Sequence, residues 1–228
     1  MTPRSTPAAM TERLRAARVV PVITIDDPEN AVPLAHALSA GGLAGAEITF
    51  RTPRAAEAIR RIAAEAPAFL AGAGTVLTPA QVDAARDAGA QFIVAPGFNR
   101  RVVEHCLSLG VPVYPGIATP TEVQAALELD LTTLKFFPAE PMGGLNYLKA
   151  IAAPFAGVSF VPTGGISAAN VASYLAFDRV VACGGSWMAP ADWIAEKQFD
   201  RIREESQRAS DIAHGRTPQS ALKMGARA

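Results

Sequence analysis

The segment Leu131-Thr132-Thr133-Leu134-Lys135-Phe136-Phe137-Pro138 decides how this chain is read. It has the length and the β-branched, aromatic make-up of a buried strand. The flanking segments, Thr121–Glu128 and Asn146–Ala152, have the spacing of amphipathic helices. Strand and helix therefore alternate here, and the alternation continues outward in both directions. Strands are predicted at Val19–Ile25, Ala46–Phe50, Phe69–Ala73, Phe92–Ala95, Val113–Tyr114, Thr133–Phe136, Ser159–Val161 and Val180–Ala182. Helices are predicted at Asn30–Ser39, Arg54–Glu65, Pro79–Asp87, Asn99–Leu109, Ala168–Ala176 and Pro190–Arg208, besides the two already named. Thr78-Pro79, Thr119-Pro120 and Ser167 supply capping residues at helix starts, and Gly41, Gly89 and Gly110 mark helix ends.

Strands alternating with helices imply a parallel sheet, and eight such units close naturally into a single-domain α/β fold, the (β/α)8 TIM barrel. A doubly wound open sheet would usually carry a glycine fingerprint after strand one. Asp26-Asp27-Pro28-Glu29 stands there instead. Residues 1–18 are expected to form an N-terminal segment whose helix, Met10–Ala17, caps the barrel floor. Residues 19–208 form the barrel, and residues 209–228 a C-terminal tail, flexible or an added surface helix.

The 228 residues balance 21 basic against 21 acidic side chains, so net charge gives no reason to expect nucleic acid or a membrane as partner. Cys106 and Cys183 lie far apart with no histidine at metal-ligand spacing, and the reading is two reduced thiols in a cytoplasmic protein. No signal-peptide pattern opens the chain, and no stretch approaches the roughly 20 apolar residues of a membrane span.

Chemistry is expected at the C-terminal ends of barrel strands. Lys135 is one of four lysines and the only one within an apolar strand. Apolar surroundings disfavour the ammonium form of a lysine, and a neutral amine attacks carbonyls to form Schiff bases. A strand-end lysine that snorkels to water is the plainer alternative for this segment alone. Alternation turns Lys135 inward with Thr133, and turns Glu47, Thr49 and Arg51 to the inner or upper side of strand two. An amine and a carboxylate then share one interior, as imine chemistry requires, because protons must leave and enter as a carbinolamine loses water. A purely structural ion pair is the alternative for Glu47, though such pairs are weak sources of stability.

Arg51 has the fork geometry that binds a carboxylate, or is simply a surface arginine. Thr75 follows Ala71-Gly72-Ala73-Gly74, where small residues let backbone approach a ligand, or else it sits in an ordinary turn. Two glycine pairs follow the last two strands, in Thr163-Gly164-Gly165 and Cys183-Gly184-Gly185-Ser186. In such barrels these loops often hold phosphate, and a helix N-terminus would add a favourable dipole.

Together these segments resemble the 2-keto-3-deoxy-6-phosphogluconate and 4-hydroxy-2-oxoglutarate aldolases. The resemblance rests on Val20-Pro21-Val22-Ile23, Glu47-Ile48-Thr49-Phe50-Arg51-Thr52, Gly72-Ala73-Gly74-Thr75-Val76-Leu77, Pro96-Gly97, Tyr114-Pro115-Gly116, Lys135-Phe136-Phe137-Pro138-Ala139-Glu140, Pro162-Thr163-Gly164-Gly165-Ile166 and Gly184-Gly185-Ser186. It implies a class I aldolase of the Entner–Doudoroff route with Lys135 as Schiff-base nucleophile and Glu47 as general acid and base. Arg51 and Thr75 would hold the pyruvyl carboxylate, with Pro96 and Phe137 shaping the pocket. Gly164, Gly165, Gly185 and Ser186 would bind substrate phosphate, assisted by Thr163. The resemblance further implies a homotrimer that needs neither metal nor organic cofactor. The rivals are the aldolase for the galactonate epimer and a phosphate-binding barrel without imine chemistry, either a transferase or a non-catalytic binder.

Overall fold

A computed structural model describes residues 6–216 of the chain. Helix α1 (Pro7–Ala17) opens with Thr6, whose hydroxyl accepts from the Ala9 amide, and has Pro7 at its first position. Strand and helix then alternate: β1 (Val19–Ile23), α2 (Ala31–Ala40), β2 (Gly45–Thr49), α3 (Ala55–Glu65), β3 (Leu70–Gly74), α4 (Pro79–Asp87), β4 (Ile93–Val94) and α5 (Arg100–Ser108). There follow β5 (Val113–Tyr114), β6 (Gly116–Ile117), α6 (Pro120–Leu127), β7 (Thr133–Phe136), α7 (Gly144–Ala152), β8 (Ser159–Pro162), α8 (Val171–Leu175), β9 (Cys183–Gly185), α9 (Ala191–Ala195) and α10 (Phe199–Ala213).

The strands pair in parallel in the order β5-β4-β3-β2-β1-β9, and separately as β6-β7-β8. Strands β5 and β6 are halves of one barrel strand broken at Pro115, which lacks an N–H but still accepts from the Lys135 amide at 2.9 Å. Parallel bridges Phe160↔Val180 and Thr163↔Gly184 join β8 to the last strand. The ring is thereby closed, as the eight-unit reading expects.

Each strand turns alternate residues to two separate cores. The outer core joins sheet to helices and takes Ile48, Ala73, Ile93, Leu134, Phe136 and Phe160. The inner one fills the barrel with Val20, Leu70, Phe92, Val94, Tyr114, Val161 and Val181, and α1 closes it from below with Met10 and Leu14. The floor helix therefore stands where the sequence puts it.

Three elements depart from the expectation. Strand eight falls at Cys183–Gly185 rather than Val180–Ala182. Between its two bridges β8 advances from 160 to 163 while its partner advances from 180 to 184, so one residue is extra. Val181 and Ala182 accordingly both face the inner core, while Val180 and Cys183 face the outer one. This is bulge geometry, which breaks the alternation that sequence reading relies on. The helix expected at Ala168–Ala176 is only α8, and its N-cap is Asn170, not Ser167; the Ser167 amide donates to Asn170 Oδ1 at 2.8 Å. The helix expected at Pro190–Arg208 breaks into α9 and α10, with Lys197 at φ 57° between them.

Helix α10 runs past Arg208 to Ala213 because that stretch is packed: Ala209, Ser210, Asp211 and Ala213 are buried. It lies so close to the end of α2 that a Cβ on Gly41 would stand 2.4 Å from Ser206 Cβ. The remainder of the expected tail, residues 217–228, lies outside the described residues.

Candidate active site

Glu47 and Lys135 come from β2 and β7, on different sides of the ring, and meet inside it. Lys135 Nζ lies 3.2 Å from Glu47 Oε1, and each residue is only 4% exposed. Small neighbours make the meeting possible. Glu47 is paired with Gly72 on β3, and a Cβ on Gly74 would approach the Glu47 carboxyl to 3.0 Å. A Cβ on Gly72 would stand 2.2 Å from the Phe92 ring, which fills that position instead. Beneath the carboxyl a void of about 20 Å³, lined by Leu14, Val20, Phe92 and Tyr114 among others, has room for about one water. The amine also stands 5.2 Å from the centre of the Phe137 ring, within cation–π range.

Burying two charges costs several kcal/mol per ion, and one short contact offsets this only in part. A pair placed so deep is better explained by use than by stability. Above it Thr49 donates to the Ile23 carbonyl at 2.9 Å, and Thr24 Oγ1 lies 3.0 Å from Thr49 Oγ1. The sequence reading turned Thr49 inward but did not single out Thr24. Its only available signal was alternation from Val20 and Val22 along strand one.

The other expected site residues gather on the C-terminal rim. Arg51 is exposed in the turn after β2, with no hydrogen bond or ion pair among the described residues. Thr75 follows β3, the neighbouring strand, and is half-buried with φ 55°. A left-handed β-branched residue is a genuine outlier, and such strain clusters at ligand sites. Pro96 and Phe137, both half-buried, follow β4 and β7. The Phe137–Pro138 bond is cis.

Past β8, Thr163 is buried, and Gly164 and Gly165 have φ of 99° and 81°. Neither glycine amide donates to any described residue. Two free N–H groups in a left-handed turn form an anion-binding concavity. Helices α8 and α9 are each five residues long, so these amides, rather than a helix dipole, are what the rim offers an anion. A Cβ on Gly184 would meet Thr163 Oγ1 at 2.3 Å, and one on Gly185 would meet the Trp187 ring at 2.0 Å. Ser186 is exposed beside them. The rim thus brings Thr163, Gly164, Gly165, Gly185 and Ser186 to adjoining strand ends.

A groove of about 610 Å³ opens at the opposite end of the barrel, between α1 and the beginnings of the strands. Its lining includes Thr11, Tyr114 and Thr133 but neither Lys135 nor Glu47. Among the described residues no three His, Cys, Asp or Glu side chains gather as metal ligands, and no helix is long and apolar enough to cross a membrane.

Comparison with known proteins gives a consistent picture. A family model described as KDPG and KHG aldolase matches residues 10–205. The 2-dehydro-3-deoxy-phosphogluconate aldolase of Treponema pallidum (strain Nichols) is 53% identical over 201 residues, which is 88% of this chain and 96% of that protein. Among solved structures, the KDPG aldolase of Legionella pneumophila, with pyruvate captured as a covalent carbinolamine intermediate, is 39% identical. It superposes with a TM-score of 0.84 over 89% of this chain and 97% of that one. The 2-keto-3-deoxy-6-phosphogluconate aldolase of Zymomonas mobilis ZM4, with 3-phosphoglycerate, is 40% identical with a TM-score of 0.82, covering 88% and 94%.

Proposed function

Because the chain belongs to the 2-keto-3-deoxy-6-phosphogluconate (KDPG) and 4-hydroxy-2-oxoglutarate (KHG) aldolase family, we infer that it is a class I aldolase. It cleaves 2-keto-3-deoxy-6-phosphogluconate to pyruvate and glyceraldehyde 3-phosphate, and 4-hydroxy-2-oxoglutarate to pyruvate and glyoxylate. The observation that carries this reading is the 3.2 Å contact between Lys135 and Glu47 inside the barrel.

The steps follow from those two groups. Lys135 Nζ adds to the C2 ketone, and the carbinolamine loses water to give a protonated imine. Glu47, directly or through one water, takes the proton of the C4 hydroxyl. The C3–C4 bond breaks, its electron pair moves into the imine, and the aldehyde leaves. The resulting enamine takes a proton at its methylene carbon. Water then adds to the imine and frees pyruvate and the amine.

On the rim, Arg51 and Thr75 would hold the pyruvyl carboxylate, while Pro96 and Phe137 shape the space around it. Gly164, Gly165, Gly185 and Ser186, with Thr163, would receive the phosphate. The free Gly164 and Gly165 amides and the strained Thr75 support these assignments. The protein would act in the cytoplasm as a homotrimer, which light scattering on the purified protein tests.

The decisive experiment for the chemistry is trapping. Incubation with pyruvate followed by borohydride is expected to add one reduced adduct at Lys135, located by peptide mass spectrometry. Lys135→Ala should yield none. An adduct elsewhere would remove Lys135 from the reaction.

A further inference from the structure

Behind the Gly164-Gly165 turn stands a brace that no step of the reaction uses. Tyr174, on α8, is 1% exposed, and its hydroxyl donates to Glu140 Oε1 at 2.5 Å. Glu140 lies in the loop after β7, and its stem covers Gly165 so closely that a Cβ there would stand 2.6 Å from Glu140 Cβ. The backbone joins the same two segments: the Ala139 amide donates to the Thr163 carbonyl at 2.8 Å, and the Glu140 amide to the Gly164 carbonyl at 3.0 Å. In a planar trans peptide the carbonyl and the following N–H point in opposite directions. Pulling these two carbonyls toward residues 139–140 therefore turns the Gly164 and Gly165 amides outward. Asn170 Nδ2 holds the next carbonyl, that of Gly165, at 3.0 Å.

The brace carries a negative charge close to an anion site. Its carboxylate is engaged by a phenol whose proton is held firmly, first by burial and then by Glu140 itself. The hydroxyl thus keeps the charge turned behind the glycine turn.

We propose that Glu140 and Tyr174 are positioning residues that set the preference for phosphorylated over unphosphorylated substrate, by aiming the glycine amides and by keeping a carboxylate away from the phosphate. This rests on the aldolase reading for its substrates, but not for its binding arm. Neither residue touches the reacting atoms.

The test separates the two. In Tyr174→Phe the carboxylate is released toward the phosphate. KM for 2-keto-3-deoxy-6-phosphogluconate should rise by about tenfold or more, since two like charges brought close together repel. The kcat for that substrate, both constants for 4-hydroxy-2-oxoglutarate, and imine trapping with pyruvate should hold. Adding Glu140→Gln to Tyr174→Phe removes the charge and should recover most of the lost affinity. Glu140→Ala, a change at an exposed loop residue, strips the Cγ that Gln retains over Gly165 and so loosens the glycine turn; it should raise KM for the phosphorylated substrate alone, and it serves if Tyr174→Phe does not fold. Calorimetric Kd values for glycerol 3-phosphate, measured in a Lys135→Ala background, should follow the same order without any imine chemistry. An equal loss on both substrates, an unchanged Kd, or no recovery in the double variant would each overturn the proposal. Absence of a pyruvate adduct in the unaltered protein would overturn the aldolase reading instead, and the glycerol 3-phosphate series would still decide the brace.

Discussion

Lys135 and Glu47 show how much a single residue depends on its neighbours being small. Replacing Glu47 by Gln keeps the shape but removes the proposed base, so turnover should fall by about 10²–10⁴-fold while pyruvate still binds, as steady-state kinetics with a binding assay would show. Stability should respond differently. Lys135→Ala leaves a buried carboxylate unpaired and should cost about 3–5 kcal/mol in urea unfolding, whereas Lys135→Met with Glu47→Leu should recover most of that loss while remaining inactive. A double variant as unstable as the single one would mean the pair is structural. These two residues were legible in the sequence because alternation alone turns both inward. The left-handed backbone of Thr75 was not, since nothing in its neighbours dictates a positive φ. Nor was the Tyr174–Glu140 contact, which joins residues 34 apart through the packing of a helix on a loop.

Among the elements, the strands were read well where alternation is regular and poorly where it lapses. Strand two, Gly45–Thr49, differs little from the expected Ala46–Phe50. Strand eight was placed too early because the extra residue near Val181 and Ala182 sends two neighbours to the same face. Helix α6 kept its expected start because Thr119 and Glu122 form a reciprocal capping box, a local signal. Helix α8 did not: its first residue follows Asn170, whose side chain bonds no amide of the helix and instead accepts from the Ser167 amide before it. Close approach at the strand ends gives a direct test. Gly184→Ala drives a methyl group to 2.3 Å from Thr163 Oγ1 and should destabilise the protein by about 1–3 kcal/mol. Thr163→Ala in the same background should relieve part of that cost, so the two changes would prove non-additive in a double-mutant cycle.

At the scale of the whole molecule, the parallel ring and its floor helix followed from periodicity, while the docking of α10 on α2 did not, because it depends on Gly41 meeting Ser206 at long range. The assembled barrel also sets an alkaline limit. Burial pushes Cys106, Cys183 and Tyr114 up to about 12. An unfolded chain would release those protons nearer their ordinary values of 9.0 and 10.0, so between there and 12 the folded state binds more protons. Their contribution is fully present below about pH 9 and is lost as pH climbs through 12. Urea midpoints should therefore drop between pH 8 and pH 11, and less steeply with Cys106 and Cys183 both changed to Ala. A midpoint indifferent to pH would contradict the burial of these groups. The wall is least continuous between β8 and β9, where isolated bridges flank an extra residue in place of a ladder. A phosphate gripped from both of those strand ends would span that gap like a clasp. Bound sugar phosphate would then fasten the barrel shut as well as feed it, and slower amide exchange at Val181 under saturating glycerol 3-phosphate would register the fastening.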